Sequence, residues 1–104
     1  MIDKVSFGGV YLIKFPKSYS NEKIKKQHEI LQNHINENKY FYMNAIYREN
    51  IPPQNENQST TDIFLTTVVD NASQIYGTLS VINPKLADQY IDKTKVYLNL
   101  DTIA

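Results

Sequence analysis

Few residues of this chain have the types and spacing that a catalytic or metal site requires. The 104 residues include no Cys and two His, so thiolate nucleophiles and Cys-ligated zinc or iron–sulfur sites are excluded. His28 and His34 are six positions apart in a segment with helical spacing, which places them on different faces and prevents them from sharing a metal ion. His28 falls in the apolar stripe of that segment, so we expect it to be half-buried and hydrogen-bonded. We predict neither a metal site nor a cofactor.

Sequence motifs of catalysis are also missing. Gly8-Gly9 lacks the Lys and the spacing of a phosphate-binding loop, and no Ser lies in a G-x-S-x-G turn. The acidic residues Glu56, Asp62 and Asp70 are too scattered to form a calcium loop. We therefore predict that the protein is not an enzyme.

Tyrosine is the residue type that points to a function. The chain contains eight Tyr, and several of them alternate within segments that have strand composition. A tyrosine side chain combines a large apolar ring with a polar hydroxyl, which suits a surface that is half wet and half buried. The pattern favours a small binding module.

Composition limits the kind of partner. Hydrophobic residues make up 41% of the chain and charged residues 21%, so we expect residues 1–104 to fold as a single domain. Lys+Arg and Asp+Glu are 11 each, a net charge of zero, which argues against non-specific nucleic-acid binding.

The charges are unevenly distributed along the chain. Residues 1–48 carry eight positive and four negative side chains, whereas residues 49–104 carry three positive and seven negative ones. This asymmetry reflects either ordinary solvated faces or a dipolar surface that orients a partner or a second copy.

The chain also lacks the segments that direct a protein to a membrane. No apolar run is long enough to span a bilayer, and no signal-peptide pattern is present at Met1. The absence of Cys fits a reducing compartment. We expect no membrane association and a cytoplasmic location, in the producing cell or in a host.

The first half of the chain predicts a strand, a helix and a second strand. The first strand is predicted over Val5–Phe15. One of its faces contains Tyr11, Ile13 and Phe15, and the other contains Val10, Leu12 and Lys14. Both faces are largely apolar, which is typical of a central strand. Gly8-Gly9 marks a bulge, a close backbone approach or a tight turn. Ser20 is placed to cap a helix that runs to about Asn38. Lys39–Tyr47 favours a strand, with a continuation of the helix as the alternative.

The second half is less regular. Residues 49–61 are polar and contain Pro52-Pro53, so we predict a mobile polar loop. For residues 62–82 we predict a strand to Val69 and a helix that begins near Ala72, capped by Asp70-Asn71. Two alternatives remain open for the same residues: one long helix, and a hairpin that turns at residues 71–73. Asn83-Pro84 predicts the start of another helix, and 95–100 alternates as an edge strand.

These elements predict an α+β fold built as a two-layer sandwich. Their order, β-α-β-β-α-β, favours the ferredoxin-like split arrangement, in which the first and third strands are central. Helices would then cover one face of the sheet, including Tyr11, Phe15, Phe41 and Val96. We predict that the uncovered face carries the binding residues, namely Val10, Leu12, Lys14, Tyr40, Tyr42 and Tyr97.

The function expected from this face is non-catalytic. A contiguous apolar surface marks an interaction site, so we expect a protein-binding or self-associating module that contacts a protein partner or a second copy. An inhibitor or accessory factor of phage or pathogen type fits the same features. The alternative is single-stranded nucleic-acid binding, because Tyr11 in VYLIKF resembles the first-strand aromatic of the RNA-recognition module. The predicted third strand of this chain, residues 62–69 (DIFLTTVV), lacks the basic, Gly- and aromatic-rich pattern of that module's third strand.

Overall fold

The computed structural model describes residues 7–92 and 95–103, which form four strands and three α-helices. The elements in chain order are β1 (Phe7–Pro16), α1 (Asn21–Glu37), β2 (Met43–Arg48), β3 (Gln58–Val69), α2 (Ala72–Ser80), α3 (Pro84–Tyr90) and β4 (Tyr97–Asn99), followed by a 3-10 turn (Leu100–Thr102). The predicted first residues of β1, Val5 and Ser6, lie outside the described residues.

The strands form one mixed sheet in the order β2-β3-β1-β4. β3 is antiparallel to β1 and β2, and β4 is parallel to β1. The α+β class is therefore confirmed, the architecture is compatible with two layers, and β1 and β3 are central as predicted. The ferredoxin-like arrangement is not confirmed, because two helices separate β3 from β4 and β4 is not antiparallel to its neighbour.

The core lies between the helices and one face of this sheet. Ile13 and Phe15 of β1 and Ile63 and Leu65 of β3 are fully buried there. The helices contribute residues at helical spacing, namely Ile24, Leu31 and Ile35 of α1, Ile75 and Leu79 of α2, and Leu86, Ala87 and Tyr90 of α3. A Cβ at Gly8 would overlap the main-chain carbonyl of Thr67, so of the three interpretations of Gly8-Gly9 the close backbone approach is confirmed for Gly8.

Helix α1 begins where the sequence predicts. The Ser20 hydroxyl accepts a hydrogen bond from the Lys23 amide at 3.1 Å, which satisfies one of the free N–H groups of the first turn. The acidic Glu22 also lies in that turn, where a negative charge interacts favourably with the helix dipole.

Replacing Ser20 by Ala is expected to lower the free energy of unfolding by about 1 kcal/mol, because the Lys23 amide loses its partner. Urea denaturation followed by circular dichroism measures this loss. Ser18→Ala is the matched control, since Ser18 is exposed and precedes the cap. Equal effects of the two substitutions would contradict the assignment of Ser20 as the cap.

Residues 62–82 form a strand and a helix, which resolves the three alternatives. Asn71 caps α2 by accepting a hydrogen bond from the Gln74 amide at 3.2 Å. Asn83 caps α3 in the same way through the Lys85 amide at 2.9 Å, with Pro84 in the first turn. The Asn71 cap and the Asn83-Pro84 start are confirmed.

Two strands, β2 and β4, are shorter than predicted. β2 begins at Met43 and not at Lys39, because Lys39 takes a left-handed conformation (φ 57°) that ends α1 in a turn. The alternative in which the helix continued through this segment is wrong as well. β4 covers only Tyr97–Asn99 of the predicted 95–100.

The polar loop is shorter than predicted, because Gln58–Thr61 belongs to β3. Gln58 is buried, and its side-chain amide donates to Asn99 Oδ1 at 3.0 Å and to Asp101 Oδ1 at 3.1 Å. The polar composition of this segment predicted that Gln58 would be solvated. Gln58 is buried instead, because its side chain forms hydrogen bonds with the C-terminal segment. The mobility of residues 49–57 stays a prediction.

Helix α1 contacts the outer edge of β2 through His28. His28 is half-buried, and its Nε2 lies 2.7 Å from the Ala45 carbonyl oxygen. A carbonyl only accepts, so Nε2 carries the proton. This confirms the prediction of a hydrogen-bonded histidine and leaves one fewer free acceptor on an exposed strand edge.

Candidate functional site

The sheet face opposite the core is the candidate site. In the middle of β1, β2 and β3 (residues 11–15, 43–47 and 63–67) the odd-numbered side chains face the core and the even-numbered ones point away from the helices, because side chains alternate along a strand. On that side Val10 is 41% exposed, Ile46 42% and Val68 73%. Leu65 of β3, whose side chain points to the opposite side of the sheet, is 0% exposed. The face is therefore uncovered by the helices of the described chain.

Strand pairing arranges this face in rows that cross the sheet. Lys14 and Arg48 both pair with Asp62, and Lys14 also pairs with Asn99. The next row is apolar and runs across all four strands, from Ile46 through Phe64 and Leu12 to Tyr97. A third row contains Asn44, Thr66 and Val10.

The first row is an ion cluster centred on Asp62. Arg48 binds the carboxylate with two parallel hydrogen bonds, Nε to Oδ1 and Nη2 to Oδ2, each 2.9 Å long. Lys14 Nζ donates to Oδ2, also at 2.9 Å. Two-point binding of a carboxylate by Arg fixes geometry as well as charge. The cluster therefore links β1, β2 and β3 on the open face.

Two of the three members of this ion cluster are buried. Asp62 is 0% exposed and Lys14 2%, whereas Arg48 retains 30%. Burial removes the solvation of both charges, a cost that their mutual attraction and hydrogen bonding must offset. Lys14 Nζ lies 5.9 Å from the centre of the Tyr97 ring, and the Arg48 guanidinium lies 4.9 Å from the centre of the Phe64 ring. Each cation thus also contacts an aromatic ring of the apolar row.

The exposed part of the face is the apolar row and its continuation away from the ion cluster. We call it the open-face patch; it comprises Val10, Leu12, Ile46, Phe64, Val68 and Tyr97. Tyr97 is 39% exposed, and Leu12 and Phe64 are half-buried. Single exposed apolar residues are common, but a contiguous set on one sheet face is not.

The structure brings together four of the six residues predicted for the binding face. Val10, Leu12 and Tyr97 belong to the open-face patch. Lys14 is on the same face, but it is buried and bound to Asp62, so it offers no free charge to a partner.

The placement of Tyr40 and Tyr42 on this face is wrong. Both precede β2, where strand alternation does not apply. Tyr42 donates to Gln74 of α2, and Tyr40 lies 5.9 Å from the His34 ring of α1, centre to centre. Both residues therefore pack on the helical side. The same late start of β2 explains why Phe41, assigned to the covered face, is 89% exposed.

Sequence reasoning did not predict five residues of this face, namely Ile46, Arg48, Asp62, Phe64 and Val68. DIFLTTVV is apolar at both odd and even positions, so alternation alone does not tell which side chains face the helices. Val96, expected on the covered face, is 46% exposed because it precedes β4. Asp62 carried a usable signal, since an acidic residue inside a central strand needs a cationic partner on a neighbouring strand.

Other types of site find no support among the described residues. Residues 7–92 and 95–103 contain no group of three or more acidic or His side chains that would hold a metal ion. In the same part of the chain, every helix is too short or too polar to cross a membrane.

Comparison of this chain with protein-family models, with curated protein sequences and with solved structures found no match. The functional argument therefore depends on the open-face patch and its surroundings.

Proposed function

We propose that this chain is a non-catalytic protein-interaction module that docks through the open-face patch. The observation that carries the proposal is a set of neighbouring, partly exposed apolar side chains from all four strands on the sheet face that the helices leave uncovered. Covering such a patch removes apolar surface from water, which is the main favourable term in association. The partner is a second copy of the chain or another protein, and in the latter case an inhibitor or accessory role fits.

The charged row supports this function by its position. Asp62, Lys14 and Arg48 lie along one border of the open-face patch, and only Arg48 of the three is substantially exposed. Interfaces commonly combine an apolar centre with a polar rim. A fixed charge at the border would contribute more to orientation and specificity than to affinity.

Two isoleucines of equal exposure test the proposal. Ile46 on the open face and Ile30 on α1 are both 42% exposed. We expect Ile46→Lys to weaken association at least tenfold, because a charge would have to be desolvated in the interface, and Ile30→Lys to leave it unchanged. Light scattering coupled to size-exclusion chromatography, over a range of concentrations, measures self-association.

If the wild-type protein remains monomeric, the same pair of variants serves as bait for a partner from the producing cell. A partner that uses the open-face patch binds the wild-type and Ile30→Lys proteins and is lost with Ile46→Lys. Equal association of all three proteins, whether with themselves or with a partner, would contradict the proposal.

Nucleic-acid binding is not favoured by any feature of this face. Tyr11, the residue that resembles the first-strand aromatic of the RNA-recognition module, lies on the helical side and contacts Tyr90 of α3. Lys14 and Arg48 are bound to Asp62, so neither cation is available to a phosphate without breaking the cluster.

A further inference from the structure

The outward edge of β4 is bound by a side chain of helix α3. Strand β4 pairs with β1 on its inner side, where the Val96 carbonyl accepts a hydrogen bond from the Leu12 amide at 2.9 Å. Main-chain groups of alternate residues point to the same side of a strand, so those of Leu98 face β1 and those of Asn99 face away from it. The Asn99 main chain therefore lies on the outer edge of the sheet, where unpaired groups are a template for another strand.

Gln89 binds both of these main-chain groups. Its side-chain Nε2 donates to the Asn99 carbonyl at 3.0 Å, and its Oε1 accepts from the Asn99 amide at 2.8 Å. The Thr102 hydroxyl also donates to that carbonyl, at 3.0 Å. Both lone pairs of the carbonyl and the single amide hydrogen are thus used. Because a side-chain amide offers a donor and an acceptor as a peptide group does, Gln89 takes the place of a neighbouring strand at this residue.

The opposite edge of the sheet has a comparable contact. Strands β2 and β4 are the two outer strands, and on β2 the His28 ring of α1 binds the Ala45 carbonyl at 2.7 Å. A helix thus reaches main-chain groups of each outer strand through one side chain. Short edge strands also limit pairing with another chain, and β4 has only three residues. Both edges therefore carry features that oppose the addition of a strand.

We propose that Gln89 is an edge block, a side chain that prevents the β4 edge from pairing with the same edge of a second copy. Two identical edges related by a two-fold axis pair as antiparallel strands, which requires free main-chain groups on both copies. With the Asn99 groups bound within the chain, association is confined to other surfaces. The proposal concerns the β4 edge alone and does not depend on the function proposed for the open-face patch.

The first test measures whether Gln89 protects the Asn99 amide. Gln89→Met keeps an unbranched side chain of high helix propensity but removes both hydrogen bonds. In dilute protein we expect the Asn99 amide to exchange with deuterated solvent about tenfold faster in this variant, as the loss of a hydrogen bond predicts. Lys85→Met is the matched control, because Lys85 is exposed on the same helix one turn earlier, and it should leave the exchange rate unchanged. Unchanged protection of Asn99 in Gln89→Met would overturn the proposal.

The second test measures association in proteins that also carry Ile46→Lys, which blocks the open-face patch on the far side of the sheet from β4. We expect Ile46→Lys combined with Gln89→Met to self-associate at concentrations where Ile46→Lys alone stays monomeric. Ile46→Lys combined with Lys85→Met is the control and should also stay monomeric. Light scattering coupled to size-exclusion chromatography measures the mass, and the Asn99 amide resonance of the associating protein should shift with concentration.

Two results of the second test would overturn the proposal. A Gln89→Met double variant that stays monomeric at every concentration would mean that Gln89 does not hold back strand pairing. Equal association of the Lys85→Met double variant would assign the effect to added apolar surface. Self-association of Ile46→Lys alone would instead contradict the function proposed for the open-face patch. The edge block would then be judged by the Asn99 resonance, whose concentration dependence must appear only with Gln89→Met. Gln89→Ala gives the same comparisons if Gln89→Met does not fold.

Discussion

Asp62→Asn is expected to lower the free energy of unfolding by about 3 to 5 kcal/mol. The substitution preserves shape but leaves Lys14, which is 2% exposed, without its counter-charge. Removing one partner of a buried ion pair costs this much because the remaining charge stays desolvated. Since domains of this kind are stable by only about 5 to 15 kcal/mol, this loss would remove a large share of the total stability. Urea denaturation measures the change.

Two further variants separate the unpaired charge from other causes. Asp88→Asn is the control, because Asp88 is exposed and accepts a hydrogen bond from the Tyr76 hydroxyl at 2.7 Å; we expect a loss of at most about 1 kcal/mol. The triple variant Lys14→Met, Arg48→Met, Asp62→Leu should recover most of the stability, as apolar replacements of buried ion clusters often do. A triple variant as unstable as Asp62→Asn would mean that packing, not charge, causes the loss.

Phe15→Ala is expected to cost a similar amount, about 3 to 5 kcal/mol, through loss of apolar burial and the cavity left behind. Phe15 is 0% exposed, and its ring centre lies 5.8 Å from that of Tyr19. Thermal or urea unfolding gives the value.

Phe41→Ala makes the same chemical change at a side chain that is 89% exposed. We expect a change within about 0.5 kcal/mol, as for most surface substitutions. The pair also tests the start of β2, since the sequence assigned both phenylalanines to the covered face. Similar losses at the two positions would contradict the turn at residues 39–42.

Local signals predicted the elements of the fold well. Ser20, Asn71 and Asn83 each cap the helix that the sequence placed after them, because a side-chain acceptor at a helix start acts within three residues. The central positions of β1 and β3 also followed from apolar residues on both faces. The direction of β4 could not be predicted in the same way, since it depends on how α2 and α3 return the chain to the sheet.

The candidate site was predicted only in part, for a related reason. Val10, Leu12 and Tyr97 lie inside strands, where alternation applies, and they reach the expected face. The prediction for Tyr40 and Tyr42 was wrong because the left-handed conformation of Lys39 delays the start of β2. No rule based on composition identifies a left-handed lysine. The ion cluster needed strand pairing as well as strand assignment, because Lys14 and Asp62 are 48 residues apart.

The ion cluster also selects one alignment of the central strands. β1 and β3 are apolar on both sides, so sliding one past the other by a single residue would still bury hydrophobic side chains. That shift would turn Asp62 toward the helices and leave Lys14 and Arg48 on the opposite face without a counter-charge. A domain of this size has too little stability to offset two unpaired cations and a buried carboxylate. Among strand alignments that bury similar apolar surface, the ion cluster thus favours the observed register over its neighbours.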